Sequence, residues 1–220
     1  MMKNLQKMGG IAALYEAAAY LIALVGYVLV LGTLTEVDPV QKVASLVNNQ
    51  AFLYILNLIA YVFFGIVLVV LSLALYQRLK SGSPALAQTA TAIGLIWATA
   101  LIASGMIQNF GMGSVVDLYS TDPTQAGMVW LAIESVVEGL SGGSGEILGG
   151  PWVLLISWAA LRARELPKAL NYLGVVLGVV GILSIIPPLF LPLALAFGMG
   201  QIVWMIWLGI AMLRSSPDRA

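Results

Sequence analysis

Apolar positions run along this chain in six long blocks, near 8–32, 52–76, 88–110, 136–161, 170–190 and 194–213, with polar positions gathered in the segments between them. A helix needs about 20 consecutive apolar residues to cross a hydrocarbon core about 30 Å thick. Each block meets that length. The pattern predicts an all-α membrane protein, a six-transmembrane-helix bundle forming a single integral membrane domain over 1–220. Lys3 and Lys7 precede the first block as they would in a secretory signal. The block runs to about twice the length of a signal's apolar region, so the expectation is an uncleaved first helix.

The basic residues orient these blocks. Lys3 and Lys7, Arg78 and Lys80, Arg162, Arg164 and Lys168, and Arg214 and Arg219 form four clusters at alternate block ends, and Lys42 alone falls elsewhere. Basic residues mark the cytoplasmic ends of membrane spans. Six crossings then place the N- and C-termini in the cytoplasm of a multi-pass protein of the cell membrane. Glu36, Asp38, Asp117 and Asp122 fall in the two outer loops.

A shift of 84 positions aligns Asp38-Pro39-Val40-Gln41 with Asp122-Pro123-Thr124-Gln125, Gly65 with Gly149, Arg78 with Arg162, and Gly94 with Gly178, without a gap. It predicts an internal repeat, 38–110 with 122–190. Both copies start outside, so the repeats are expected to be parallel. The shared Asp-Pro-x-Gln is helix-start chemistry. Asp accepts from the free amides of the first turn, Pro fits the first helical position, and Gln three residues on can reach back to the cap. Helices are therefore expected to begin at Pro39 and Pro123. Val40, Val43, Leu46 and Val47 give the first an apolar stripe, which suits an outer lid or a helix lying on the headgroups.

The segment from Pro123 to Arg162 departs from a simple span. It carries Glu134, Glu138 and Glu146 together with Gly139-Leu-Ser-Gly-Gly-Ser-Gly145 and Gly149-Gly-Pro151. The fourth span is expected to be irregular at this Gly-rich segment, because glycine is a poor helix former with a permissive backbone. Unwound backbone at membrane depth is tolerated only against protein or a water-filled cavity. A broken helix beside a buried carboxylate is a recurring way to build a ligand or ion site. Through the repeat, Glu146 is expected near mid-membrane, with Glu134 and Glu138 at an outer mouth.

Glu16 is the second acid inside a block. Gly9, Ala12, Ala13, Ala19 and Ala23 share its helical face, so it is expected to point at other helices rather than lipid. With no Lys or Arg inside any block to pair with it, the carboxyl is expected to hold a proton at neutral pH. Asn57, Thr99, Ser104, Ser157 and Gln201 are the other polar groups near mid-span. Such groups commonly bond between helices, and Asn57 and Gln201 join Glu16 and Glu146 as candidate ligand or proton groups. Gly174, Gly178 and Gly181 give the fifth helix a smooth packing face, and Pro187, Pro188 and Pro192 predict a tight turn before the sixth. Trp97, Trp152, Trp158, Trp204 and Trp207 lie on spans, where they pack or face a cation.

Composition narrows the chemistry. With 60% hydrophobic and 9% charged residues, a formal net charge of zero and positive charge at one set of block ends, nucleic acid is not an expected partner. The chain has no cysteine, hence no disulfide or thiolate chemistry, and no histidine, the commonest metal ligand and general base. No His-x-x-x-His, Gly-x-Ser-x-Gly or P-loop pattern occurs. No catalytic residue, metal site or cofactor is expected.

Gly9-Gly-Ile-Ala-Ala-Leu-Tyr-Glu16-Ala, Ser157-Trp-Ala-Ala-Leu-Arg162, Leu166-Pro-Lys-Ala-Leu-Asn-Tyr-Leu-Gly174 and Gly200-Gln-Ile-Val-Trp204 resemble the prokaryotic membrane family filed as domain-of-unknown-function 4386. The resemblance implies a multi-span membrane protein and brings no activity or site residues. Two functions stay open. One is a small proton-coupled transporter or ligand-binding protein in which Glu16 and Glu146 meet a proton or a small-molecule ligand. The other is a non-catalytic accessory subunit that binds lipid or a partner membrane protein, or assembles as a homo-oligomer.

Overall fold

The structure is a computed structural model that describes residues 2–31, 38–142 and 146–214. The described residues are helical throughout, apart from short turns, and contain no strand. The expectations placed on Glu36, on residues 143–145 and on Arg219 fall outside them.

Helix α1 spans Met2–Leu31. Helix α2, Pro39–Asn57, runs through a π-helical turn, Leu58–Phe63, straight into α3, Phe64–Leu79. The expected outer helix and second span are thus one helix of 41 residues, bent at Asn49 (φ −127°, ψ 19°). Its continuity has a simple cause: no glycine or proline interrupts the sequence between Pro39 and Gly65. The third span likewise outgrows its expected bounds, with α4 running from Pro84 to Tyr119. Both helices exceed the roughly 20 residues that a bilayer core requires. Their upper ends carry α5, Pro123–Ser141.

The expected fourth span, 136–161, is divided. Helix α5 ends at Ser141, Gly142 caps it in the left-handed conformation (φ 100°), and α6 begins only at Gly149 and runs to Ala163. Helix α7 covers Lys168–Leu183. A 3-10 turn at Pro187–Leu189 then leads into α8, Phe190–Arg214. The proline run ends the fifth block seven residues early, because residues preceding proline are pushed out of the helical region.

Among the described residues, four helical stretches are long and apolar enough to cross a membrane: Asn4–Leu29, Pro39–Leu79, Pro84–Tyr119 and Pro187–Arg214. Their outward faces carry large apolar side chains such as Ile11, Ile66, Phe110 and Leu191, which suit a solvent of lipid tails. The apolar helices mark a membrane-embedded protein.

Two cores hold the helices together. The larger joins α1, α3, the first half of α4, α6, α7 and α8 around Leu68, Leu71, Leu75, Trp152, Ile156 and Trp204. The smaller sits above it, where Val43, Leu46, Leu53, Met112, Val115 and Trp130 pack α2 and the end of α4 against α5. Asp38 and Asp122 cap α2 and α5 as the sequence predicts: Asp38 accepts from the amides of Val40 and Gln41, and Asp122 from that of Gln125. The pair α2 and α3 and the pair α5 and α6 run the same way. Near their starts, Gly127 lies against the backbone of Pro39 and Val40; at their ends, Arg78 pairs with Glu165 at 2.8 Å and Gly82 abuts Ala163.

Candidate functional site

The site forms where the two cores meet. On α1, Glu16, Tyr20 and Tyr27 are spaced four and seven apart, which puts them on one helical face. Ala19 and Ala23 leave room between them. Opposite stand Tyr61 of the π turn, Phe64 of α3 and Trp97 of α4, and from above come Ser141 and Glu146. With Tyr20 and Tyr27, but not Glu16, they line a cavity of about 150 Å³.

The extra residue of a π turn breaks the regular ladder and leaves backbone groups needing other partners. Here the Tyr15 hydroxyl donates to the carbonyl of Ile59 at 3.0 Å. The turn also aims Tyr61 inward, where its hydroxyl lies within hydrogen-bonding reach of Tyr27 and Ser141. The Tyr27 hydroxyl donates to Asn57 Oδ1, Asn57 Nδ2 to Asn109 Oδ1 at 2.9 Å, and Asn109 Nδ2 to the Tyr54 carbonyl at 3.3 Å. This chain ties α1, α2 and α4 along one wall of the cavity. Asn57 thus reaches the cavity through Tyr27 rather than lining it.

Glu146 enters from the break between α5 and α6. Its backbone N–H donates to the Ser184 hydroxyl at 3.0 Å, and that hydroxyl donates to the Gly181 carbonyl at 2.6 Å. The break is thereby pinned to the end of α7. A Cβ on Gly149 would lie 2.8 Å from Glu146 Oε2 and 3.2 Å from the Trp97 ring. The bare glycine therefore lets the carboxyl rest beside the first turn of α6, the end at which the helix dipole favours negative charge.

Below the cavity lies a different polar layer. Glu16 is fully buried, one turn from Tyr20, and neither carboxyl oxygen has a hydrogen-bond partner. Gln201 is equally buried, with both amide atoms unpartnered, as are the Ser72 and Ser157 hydroxyls and the Trp152 indole nitrogen. The expected small face around Glu16 is present: Gly9, Ala12, Ala13 and Ala19 are buried with it, and Gly10 packs on Gly209 of α8. An aromatic column joins the two levels. Tyr20, Phe64, Trp97, Trp152 and Trp204 follow one another at centroid separations of 5.3, 6.0, 5.7 and 6.0 Å. The Tyr20 hydroxyl lies within electrostatic reach of both Glu16 and Glu146.

The two acids expected at an outer mouth separate. Glu134 pairs with Lys42 at 2.7 Å beside a small cavity of about 30 Å³, which Tyr27 and Asn57 border from below. Glu138 is exposed on α5. Of the expected candidates, the structure places Glu146 in the main cavity, Asn57 one hydrogen bond away, and Glu16 and Gln201 in the layer beneath. Tyr20, Tyr27, Tyr61, Phe64 and Ser141 were not among them. The tyrosines of α1 were within reach of the sequence, since Tyr20 and Tyr27 continue the face that Glu16 begins. Tyr61 was not, because its direction depends on the π turn.

The family model described as Domain of unknown function (DUF4386) matches residues 11–211, so the chain belongs to that family. No curated protein and no solved structure shows a significant match.

Proposed function

Taking that membership as given, we propose that the protein binds a small ligand in the cavity at Glu146 and moves it across the cell membrane with a proton, as a six-span bundle with cytoplasmic termini and two parallel repeats, 38–110 and 122–190. The observation that carries the reading is the cavity itself, which sets one carboxyl, three tyrosines and a tryptophan around about 150 Å³. A volume of about 150 Å³ accommodates a molecule of benzene's size. Ionisable groups inside a membrane protein mark ligand paths and proton relays by default. Glu146 is the ligand group; Glu16, joined through Tyr20, is the second proton-holding group, with Gln201 a further buried and unpartnered polar group. Lys42 and Glu134 form the outer gate, and Glu138 lies at its rim.

The accessory-subunit reading calls for an exposed seam of small residues. The glycines with open space beside them, Gly113, Gly139 and Gly198, sit on three different helices, whereas Gly10, Gly150, Gly178 and Gly209 pack inside the chain. That distribution favours the ligand-binding reading. The test is occupancy. In nanodiscs exposed to a mixture of small polar metabolites, the protein should retain a small-molecule adduct in native mass spectra. Leu101→Trp, which fills the cavity, should lose it. Wild-type protein that retains nothing would leave the accessory role ahead.

A further inference from the structure

The walls of the cavity specify what enters it. Glu146 excludes an anion, because nothing in the cavity's lining is cationic. A metal ion would need several oxygen or nitrogen ligands, and among the described residues no three His, Cys, Asp or Glu side chains gather to hold one. A proton alone would need Glu146 but not the volume. A neutral apolar ligand would fill the volume but leave the carboxyl facing hydrocarbon, which is costly.

What remains is an organic cation. Tyr20 and Phe64 meet edge to face at an interplanar angle of 84°, and Phe64 and Trp97 at 64°. Rings crossed in this way wall a cavity from different directions and attract a cation through the negative potential of their faces. Two of the hydroxyls nearby are already engaged. Tyr27 donates to Asn57, and Ser141 to the Val137 carbonyl at 2.8 Å. A guest that asks for few hydrogen bonds suits such a lining, and alkylated ammonium groups are of that kind. We propose that the cavity binds a small alkylammonium cation, with Tyr20, Tyr61, Phe64 and Trp97 as an aromatic cage and Glu146 as the counter-charge. This assignment rests on the ligand-binding reading above and names its ligand class.

The experiment uses the full chain in nanodiscs and follows Trp97 by tryptophan fluorescence, with calorimetry as the second readout. The probes are choline, tetramethylammonium, methylammonium, and the neutral isostere of choline in which carbon replaces nitrogen. Choline or tetramethylammonium should bind saturably, and the neutral isostere should bind at least about tenfold more weakly. Glu146→Gln should weaken the cations by about tenfold or more, as loss of a buried counter-charge does, and leave the isostere unchanged. Trp97→Leu should weaken the quaternary cations more than methylammonium. Should Glu146→Gln fail to fold, Leu101→Trp serves in its place and should abolish binding of all cations. An isostere that binds as tightly as choline, or a Glu146→Gln protein that binds cations normally, overturns the cation assignment. If none of the cations binds while the protein still retains a metabolite adduct, the assignment fails and the ligand-binding reading stands. If neither cation nor adduct is found, both fail.

Discussion

Residues 39–79 and 123–163 are stretches of equal length that begin alike and end alike but differ in the middle. Both open with an Asp-Pro cap, and their helix boundaries recur at the 84-residue offset: Asn57 with Ser141, Leu79 with Ala163 and, beyond them, Pro84 with Lys168. In the first stretch Leu58–Phe63 forms a π turn and the helix continues. In the second, the helix ends at Ser141 and the next begins only at Gly149, and Glu146 occupies the position of Val62. A π turn changes the direction of side chains while keeping the backbone nearly satisfied. A break frees backbone amides and can set a carboxyl against a new helix start. One solution gives an aromatic wall and the other gives the charged group, and the cavity lies between them.

The difference extends along both helices. In the first stretch the close contact with the next helix is made by Gly65, whose Cβ would meet the Ala98 carbonyl at 2.7 Å. In the second it is made by Gly150, whose Cβ would meet the Ile182 amide at 2.8 Å. Ala98 and Ile182 are 84 apart, but the glycines are 85 apart. One residue is about 100° around an α-helix. Helix α6 is thus turned relative to α3, and Gly149, the partner of Gly65 in the offset, faces Glu146 and the Trp97 ring.

The largest expected effect comes from exchanging residues across that turn. Ile66 is 49% exposed on α3, whereas its counterpart Gly150 is buried against the backbone of α7. Gly150→Ile should cost at least about 3 kcal/mol, the upper range of overpacking, because backbone atoms cannot yield as side chains do. Ile66→Gly should cost only about 1 kcal/mol, the loss of helix propensity. Thermal unfolding in one detergent measures both. Equal losses would mean that α6 is not turned relative to α3.

A smaller contrast separates the two aligned glycines. Gly65→Ala forces a methyl group against the Ala98 carbonyl at 2.7 Å, and should destabilise by about 1–3 kcal/mol. Gly149→Ala meets the movable end of Glu146 first, at 2.8 Å, with the edges of the Trp97 and Phe197 rings at 3.2 and 3.3 Å. It should leave the melting temperature nearly unchanged, because α6 gains a better helix former, while displacing the carboxyl and weakening choline binding. Gly149→Ala protein that melts early and binds normally would reverse this assignment of roles.

Much of this division was legible beforehand. Asp38-Pro39 and Asp122-Pro123 fix where two helices start, because capping is local chemistry. The glycines around 139–150 announce a break for the same reason, and the small-residue face of α1 announces that Glu16 points at other helices. The joining of α2 to α3 was less visible: an outer amphipathic stripe and a following apolar block look alike whether or not a helix connects them. The π turn left no local trace, since Leu58-Ile-Ala-Tyr-Val-Phe63 reads as ordinary apolar helix. Its extra residue is stabilised by tertiary partners, among them the Tyr15 hydroxyl on the Ile59 carbonyl. The cavity follows from that turn and so was equally hidden. Glu146 could be placed, but not the rings around it.

The smallest contrast concerns the residues that close the two upper helices, Asn57 and Ser141, 84 positions apart and both linked to a tyrosine of the cavity wall. Asn57 accepts from Tyr27 and donates to Asn109, so it joins three helices. The Ser141 hydroxyl donates to Val137 within its own helix at 2.8 Å. Hydrogen bonds between helices in membranes average about 0.6 kcal/mol. Asn57→Ala removes two of them and strands the Tyr27 hydroxyl, so a loss of about 1 kcal/mol is expected. Ser141→Ala removes a bond within its own helix and leaves the Tyr61 hydroxyl its reach to Tyr27, and should cost less than about 0.5 kcal/mol. A double-mutant cycle between Asn57 and Asn109 isolates the interhelical part: coupling near 0.6 kcal/mol is expected, and none between Ser141 and Asn109. Should the serine prove as costly as the asparagine, the upper wall would be held from the broken stretch as firmly as from the continuous one. The polar network could then no longer be assigned to the first stretch alone.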